Sequence, residues 1–447
     1  MSNSMPLVRA LREHLSLGRI SFHTPGHKGL PSPLDGLGDL KRLDLTELPD
    51  TDSLYEADGP IAQAMELAAG FFHAKRTLFS SGGCTLCIQA MLYLAAPTGG
   101  KVIFGRTLHR SAVNAMALLD ITPVWVLPRP DAGSGLPGRI HPDDVEDALL
   151  RHPDAKAVYV TSPDYYGTRS DIASLAAVCR RRGVLLLVDN AHGAHFSLLT
   201  PDIHPLHLGA DACADSAHKT LPVLTGGAWL QLGQRMPAEG ALDAMALFGS
   251  TSPSYPIMAS LDLCRSWMQE EGNAAFSQLQ GQVEEVKKRA EGLGISSPKG
   301  PVDPVRLAFN TLAVGVDGHR AAEHLRLYGI EPEMSDKGWV VLLPSPFHEK
   351  RHLQRLMDAL TALPHGTKQS EAYFFAPTLP EAVERPRAAV LGPSQWVDVE
   401  QCVGRIAAQA ACPCPPGVPL VMPGEKIDQR VQLELIHSGI RRLKVVK

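Results

Sequence analysis

Short apolar runs that read as strands alternate with amphipathic helical stretches, and this alternation constrains the fold more than any other feature of the chain. KVIFG (101–105), TPVWVL (122–127), KAVYV (156–160) and VLLLV (184–188) are strand-like, while DDVEDALLR (143–151) and DIASLAAVCRRR (171–182) carry helical periodicity between them. Upstream, GPIAQAMELAAGFFHA (59–74) has a Gly-Pro helix start. Residues 77–80 read as a strand, and Thr85 to Ala95 and Arg110 to Leu119 as helices. Strands separated by helices need right-handed crossovers, which gives a mostly parallel α/β sheet covered on both faces.

The chain is long enough for two or three domains: 447 residues, 44% hydrophobic and 20% charged, are ordinary for a folded globular protein. A glycine-, proline- and serine-rich break, GLGISSPKGPVDP, follows the polar helix near Asn273 to Glu291. The expected division is therefore a large domain over 1–295 and a smaller α+β domain over 296–447, with strands near Val305 to Val314 and Trp339 to Leu343. The proline-rich CPCPPGVPLVMPGEKI is expected to be an extended loop.

A formal charge of −4 offers no basic stripe for a phosphate backbone, so no nucleic-acid partner is expected and a small molecule is the default. No apolar run reaches the roughly 18 residues of a membrane span. The opening MSNSMPLVRALREHL is charged where a signal peptide is apolar, so no membrane partner and a cytoplasmic location are expected. Eight cysteines in so long a chain suit free thiols better than a disulfide framework. Neither Cys84-x-x-Cys87 nor Cys412-Pro-Cys414 has a second ligand pair, and His192 and His195 have no acid or thiol at ligand spacing, so no metal is expected.

In open parallel sheets ligands bind beyond the carboxyl ends of the strands, where SSGGCT, GRTLHRS, TSPDYYG, VDNAHGAH and DSAHK should converge. Gly82, Gly83, Cys84 and Thr85 stand between a strand and a helix N-terminus, where free N–H groups can hold a phosphate, although glycine turns before helices are common. Asp189 closes an apolar strand, and its carboxylate there needs a cation or donors; a helix cap is the everyday alternative. Lys219 follows in a loop with Ser216 and His218 beside it and Thr225, Gly226 and Gly227 after it. An amine for an aldehyde and a carboxylate for a ring nitrogen are what pyridoxal phosphate requires.

As a set, the motifs resemble the bacterial ornithine/lysine/arginine decarboxylase family. The matching stretches are SFHTPGHKG (21–29), DLTELPDTDSLYEADGPI (44–61), LHRSAVNAM (108–116), TSPDYYG (161–167), VDNAHGAHF (188–196), SAHKTLP (216–222), STSPSYPIMASLD (250–262) and CPPGVPLVMPGE (414–425), in order along nearly the whole chain. The resemblance implies the fold of the aspartate-aminotransferase type: a mostly parallel, seven-stranded pyridoxal-phosphate-transferase sheet covered by helices, with a smaller α+β C-terminal domain. It implies pyridoxal 5'-phosphate as cofactor, a basic amino acid as substrate, and decarboxylation of arginine, lysine or ornithine to the amine and CO2, chemistry that belongs to polyamine biosynthesis.

Residue by residue, the resemblance places Lys219 as the lysine bonded to the cofactor, Asp189 under the pyridine nitrogen, His109 stacked on the ring and His192 against it. Gly83, Cys84, Thr85, Ser216 and His218 fall on the phosphate side, and Ser250 and Ser252 would reach the phosphate of a neighbouring subunit, so a homodimer with shared active sites is implied. Cys84 stands where the family commonly has Ser, Ala217 where it commonly has Thr, and Asp164 where it often has Thr. Glu425, Glu47 and Asp50 are candidates, with Asp52, to meet the substrate's distal cation. Lys219 or His218 would return the proton to Cα. An aminotransferase or lyase of the same fold, with Arg306 or Arg385 on the substrate carboxylate, and a silent pyridoxal-phosphate-binding regulator are the alternatives left open.

Overall fold

The computed structural model describes residues 14–130, 135–367, 379–412 and 419–447, so the opening segment 1–13 and Cys414 of the CPC motif lie outside the described residues. Its centre is a seven-stranded sheet. Across it run Arg76–Ser80, Ala228–Leu232, Ala212–Asp215, Leu185–Asp189, Ala157–Thr161, Gly100–Gly105 and Ile121–Val126. Ala228–Leu232 is antiparallel to both of its neighbours, so the other six strands point the same way.

The central strands read as unbroken apolar runs because both faces are covered. Val102, Phe104, Tyr159 and Leu187 pack into one core, while Ile103, Val158, Val160, Leu186 and Val188 pack into a second on the other side. Successive residues thus serve opposite faces, as the two-residue strand period requires. The helices that cover them, including Gly83–Ala95, Arg110–Leu119, Pro142–Arg151 and Ile172–Arg181, lie where the periodicity places them.

Beyond the helix Asn273–Gly292, a three-stranded antiparallel sheet is built from Leu307–Asn310, Trp339–Leu342 and Met334–Ser335. The strand expected over 305–314 stops at Asn310 because the chain turns into the 3-10 segment Leu312–Val314, closed by Gly315 at φ 77°. Near the start of the described chain, Ile20–Phe22 pairs in parallel with Ile330–Pro332. A further core, with Val399, Ile427, Leu435 and Val445, packs under the pair Ser394–Asp398 and Arg442–Val446. Among the described residues no helix is long and apolar enough to cross a membrane.

Candidate active site

At the carboxyl edge of the parallel strands lies a cavity of about 570 Å³, a volume that suits a small molecule or cofactor. Gly83, Thr85, His109, Asp164, Asp189 and Lys219 line it, so the five loops singled out by sequence do meet. Lys219 leaves the short helix Ala217–Thr220 just after the strand Ala212–Asp215, and Asp189 is the last residue of the adjacent strand.

The Nζ of Lys219 lies 3.0 Å from His192 Nε2 and 5.8 Å from the centre of the Tyr165 ring. Burial pushes its pKa below the ordinary lysine value, with Asp189 and Glu333 pulling the other way and Arg306 adding to the drop. A buried amine with a lowered pKa keeps more of its free base, the form that attacks a carbonyl. Asp189 is 1% exposed and takes hydrogen bonds from Tyr159 Oη at 3.1 Å and from Ala191 N–H at 3.1 Å. It faces the same cavity as Lys219.

His192 is held on three sides: Tyr165 packs its ring at 4.6 Å, Lys219 meets Nε2, and Arg306 Nη1 lies 3.4 Å from Nδ1. Burial first, then the nearby Lys219 and Arg306, pushes it well below the usual histidine range, so the ring is neutral. His109 caps the helix Arg110–Leu119, its Nδ1 accepting from Ser111 N–H at 3.3 Å, which leaves the ring proton on Nε2. Its pKa is lowered, chiefly by burial. His218 points Nδ1 at the Gly227 carbonyl, 3.1 Å away, and burial lowers its pKa as well.

The side expected to hold the phosphate is the start of the helix Gly83–Ala95, with Cys84, Thr85, Ser216 and His218 on the cavity wall. Gly83 has φ 69°, a left-handed conformation that favours glycine; its own N–H is spent on the Gly226 carbonyl at 2.7 Å, and the N–H groups that follow it in the first turn have no intrahelical acceptor. Cys84 is buried and its pKa is raised well above the ordinary thiol value by burial, so it stays uncharged and adds no repulsion toward an anion. Thr107, also on the wall, has a buried hydroxyl with no partner among the described residues. An amine, a buried carboxylate and a helix start with spare donors on one cavity fit pyridoxal phosphate.

Several expected residues lie elsewhere. Glu425, a candidate for the substrate's distal cation, does not line the cavity: it is 2% exposed and clamped by Arg106, with Nη1 to Oε1 at 2.6 Å and Nη2 to Oε2 at 2.8 Å, and it also takes the Met422 N–H. Glu47 and Asp50 are exposed and do not line this chain's cavity; Glu47 accepts from Ser53 Oγ at 3.0 Å. Asp52 spends its carboxylate on the N–H groups of Ser53, Asp58, Gly59, Ile61 and Ala62. Ser250 and Ser252 are exposed and outside the cavity. Arg306 is 3% exposed and committed to His192, the Tyr165 carbonyl and Asp303, while Arg385 is on the surface with Asp120.

Asp164 does line the cavity, with Oδ1 taking the N–H groups of Tyr166 and Thr168 and burial pushing its pKa up to about 6. Two residues that touch the site were not singled out individually: Tyr165, although TSPDYYG was, and Tyr159, which sits inside a strand that reads only as core; Glu333, also not singled out, is not on the cavity wall, takes the Thr24 N–H at 2.7 Å and acts on Lys219 through its charge.

Comparison with known proteins bears on this geometry. Residues 5–305 match the family model described as Orn/Lys/Arg decarboxylase, major domain, and residues 368–438 match its C-terminal domain. The chain is 31% identical over 443 residues to the uncharacterized protein YaaO of Bacillus subtilis (strain 168), covering 94% of this chain and 92% of that one. It is 31% identical over 448 residues to an arginine decarboxylase of Halalkalibacterium halodurans, covering 95% and 91%. Among solved structures, the Francisella novicida lysine decarboxylase LdcF superposes with a TM-score of 0.80 at 18% identity, covering 91% of this chain and 75% of that one, a likeness of fold.

Proposed function

The chain belongs to the Orn/Lys/Arg decarboxylase family, and from that premise we propose that it decarboxylates arginine, lysine or ornithine with Lys219 and Asp189 as the residues that hold the cofactor. The chain is an amino-acid decarboxylase that uses pyridoxal 5'-phosphate. One observation carries the residue assignment: a largely enclosed lysine with a lowered pKa and a buried aspartate meet on one cavity, the aspartate as the last residue of its strand and the lysine in the short helix that follows the neighbouring strand.

When bound, the cofactor supplies the electron sink for the pair left behind as CO2 departs. The chain's residues do the rest. Asp189, already fixed by Tyr159 and Ala191, would hold the proton on the ring nitrogen. Helix Gly83–Ala95, Thr85 and Ser216 would hold the phosphate, and the neutral rings of His109 and His192 would flank the cofactor. His218 keeps a proton on Nδ1 toward the Gly227 carbonyl. Lys219, freed when the substrate amine takes its place, is therefore our choice to carry a proton back to Cα.

The substrate's distal cation needs an anion that this chain's cavity does not supply from Glu425, Glu47 or Asp50. We assign Glu47 and Asp50 to the cavity of a second copy, with Ser250 and Ser252 reaching that copy's phosphate, because all four are exposed and stand outside their own cavity. On this assignment the protein would act as a homodimer with shared sites. Transamination is disfavoured by the arginines: Arg306 is locked to His192 and Asp303, and Arg385 is far out on the surface.

The test is an assay panel of arginine, lysine and ornithine with the cofactor-loaded protein, following CO2, amine and keto acid. One of the three should give CO2 and its amine in equal amounts. Keto acid without CO2 would overturn the reading, and so would no turnover of any of them.

A further inference from the structure

Arg306 stands just before the strand Leu307–Asn310, and its guanidinium reaches back to the wall of the cavity. Nη1 has two hydrogens and meets two acceptors, the Tyr165 carbonyl at 3.3 Å and His192 Nδ1 at 3.4 Å. Nη2 donates to the His192 carbonyl at 3.2 Å, and Nε lies 3.6 Å from Asp303 Oδ2. A guanidinium donates and does not accept. His192 Nδ1 must therefore present a lone pair here, which puts the ring proton on Nε2, the atom 3.0 Å from Lys219 Nζ. An N–H aimed at a nitrogen is satisfied only if that nitrogen has a lone pair.

We propose that Arg306 is a positioning residue: it locks His192 as the neutral ring with its proton on Nε2, and that N–H holds Lys219 as a free amine ready to attack an aldehyde. This rests on the reading of Lys219 as the cofactor lysine. The surrounding charges agree. His192 faces Lys219, Arg306, His109 and His218, none of them an anion. Lys219 is pushed away from the ammonium first by burial and also by Arg306, and drawn toward it by Asp189 and Glu333. Asp303, which also takes His195 at 3.2 Å, has its carboxyl held well below the usual range by His195 and Arg306 despite its burial, so it remains an anion that anchors the guanidinium.

The experiment uses the apoprotein and pyridoxal phosphate alone, with no amino acid present. Capture joins Nζ to the aldehyde carbon with loss of water, and it is followed by absorbance and borohydride trapping from about pH 6 to about pH 10, spanning a lowered and an ordinary lysine pKa. Arg306→Met should capture roughly tenfold more slowly than the parent near pH 7 and match it at the alkaline end, the change that about one unit of amine pKa makes in the free base. Arg306→Lys keeps a cation beside Asp303 but cannot grip the ring nitrogen and both carbonyls, so it should show part of the deficit. On a His192→Phe background, Arg306→Met should add little.

Identical pH profiles for parent and Arg306→Met would overturn the proposal. So would an Arg306→Lys variant indistinguishable from the parent, which would reduce Arg306 to its charge, or full additivity with His192→Phe. Should Arg306→Met fail to fold, Arg306→Lys and His192→Phe carry the same comparison. A parent that captures nothing removes the Lys219 reading and this one with it, whereas capture by the parent with unaltered variants removes only the positioning role.

Discussion

Lys219 and Lys28 both lose their water, and they differ in what surrounds them. Lys219 opens onto the cavity, where a lowered pKa would serve the role proposed for it; Lys219→Ala should abolish borohydride-fixed cofactor and amine release together, checked by peptide mapping and the CO2 assay. Lys28 is 7% exposed, donates to the His23 carbonyl and has its pKa pushed down to about 7, first by burial. Between that value and an ordinary lysine pKa near 10.4, the unfolded chain binds a proton that the folded one does not, so stability contributed by this site rises with pH. Heating scans from about pH 7 to about pH 10 should show a rising midpoint. Lys28→Met should flatten that rise, and an unchanged slope would refute the assignment.

At the scale of elements, the turn after the strand Leu185–Asp189 matters most because it sets both Asp189 and His192. A Cβ on Gly193 would stand 2.1 Å from Asn190 Oδ1 and 2.7 Å from the Phe196 ring, so the turn cannot tolerate one without moving. Gly193→Ala should cost about 2 kcal/mol or more, in the range of core overpacking, and weaken cofactor binding, both readable from melting scans with and without the cofactor. Asp189 was legible in the sequence because it ends a strand whose apolar run is unmistakable, and most of the sheet was legible for the same reason, whereas Lys219 stood out only through its polar loop, and the strands Ala212–Asp215 and Ala228–Leu232 beside it were not read from the sequence. Arg306 and His192 are 114 residues apart, and Arg106 and Glu425 are 319 apart. No local period registers such contacts. Glu425 therefore read as a free acid beside the site, although folding commits both its oxygens to Arg106. Asp164 read as an added charge, whereas its backbone hydrogen bonds give it the loop-closing work that a threonine oxygen can also do.

The whole molecule is tied together by contacts between distant parts of the chain. The Arg106–Glu425 pair, 0% and 2% exposed, joins the loop after the strand Gly100–Gly105 to the segment near residue 425. Removing one partner leaves a buried charge, so Arg106→Met should cost about 3 to 5 kcal/mol, and Arg106→Met with Glu425→Met should recover much of it. Melting midpoints of the singles and the double decide this. The parallel pairing of Ile20–Phe22 with Ile330–Pro332 has a further consequence. The adjoining loop closes on the catalytic segment through Gly26 N–H to the His218 carbonyl at 2.7 Å, and a Cβ on Gly26 would stand 2.4 Å from the Leu221 carbonyl oxygen. On a ribosome adding roughly 5 to 20 residues per second, the early strand waits tens of seconds for its mate to emerge. Until then the nascent enzyme has its lysine but lacks the paired strand beside it, and a transcript broken before that point would yield a protein with an unfinished pocket.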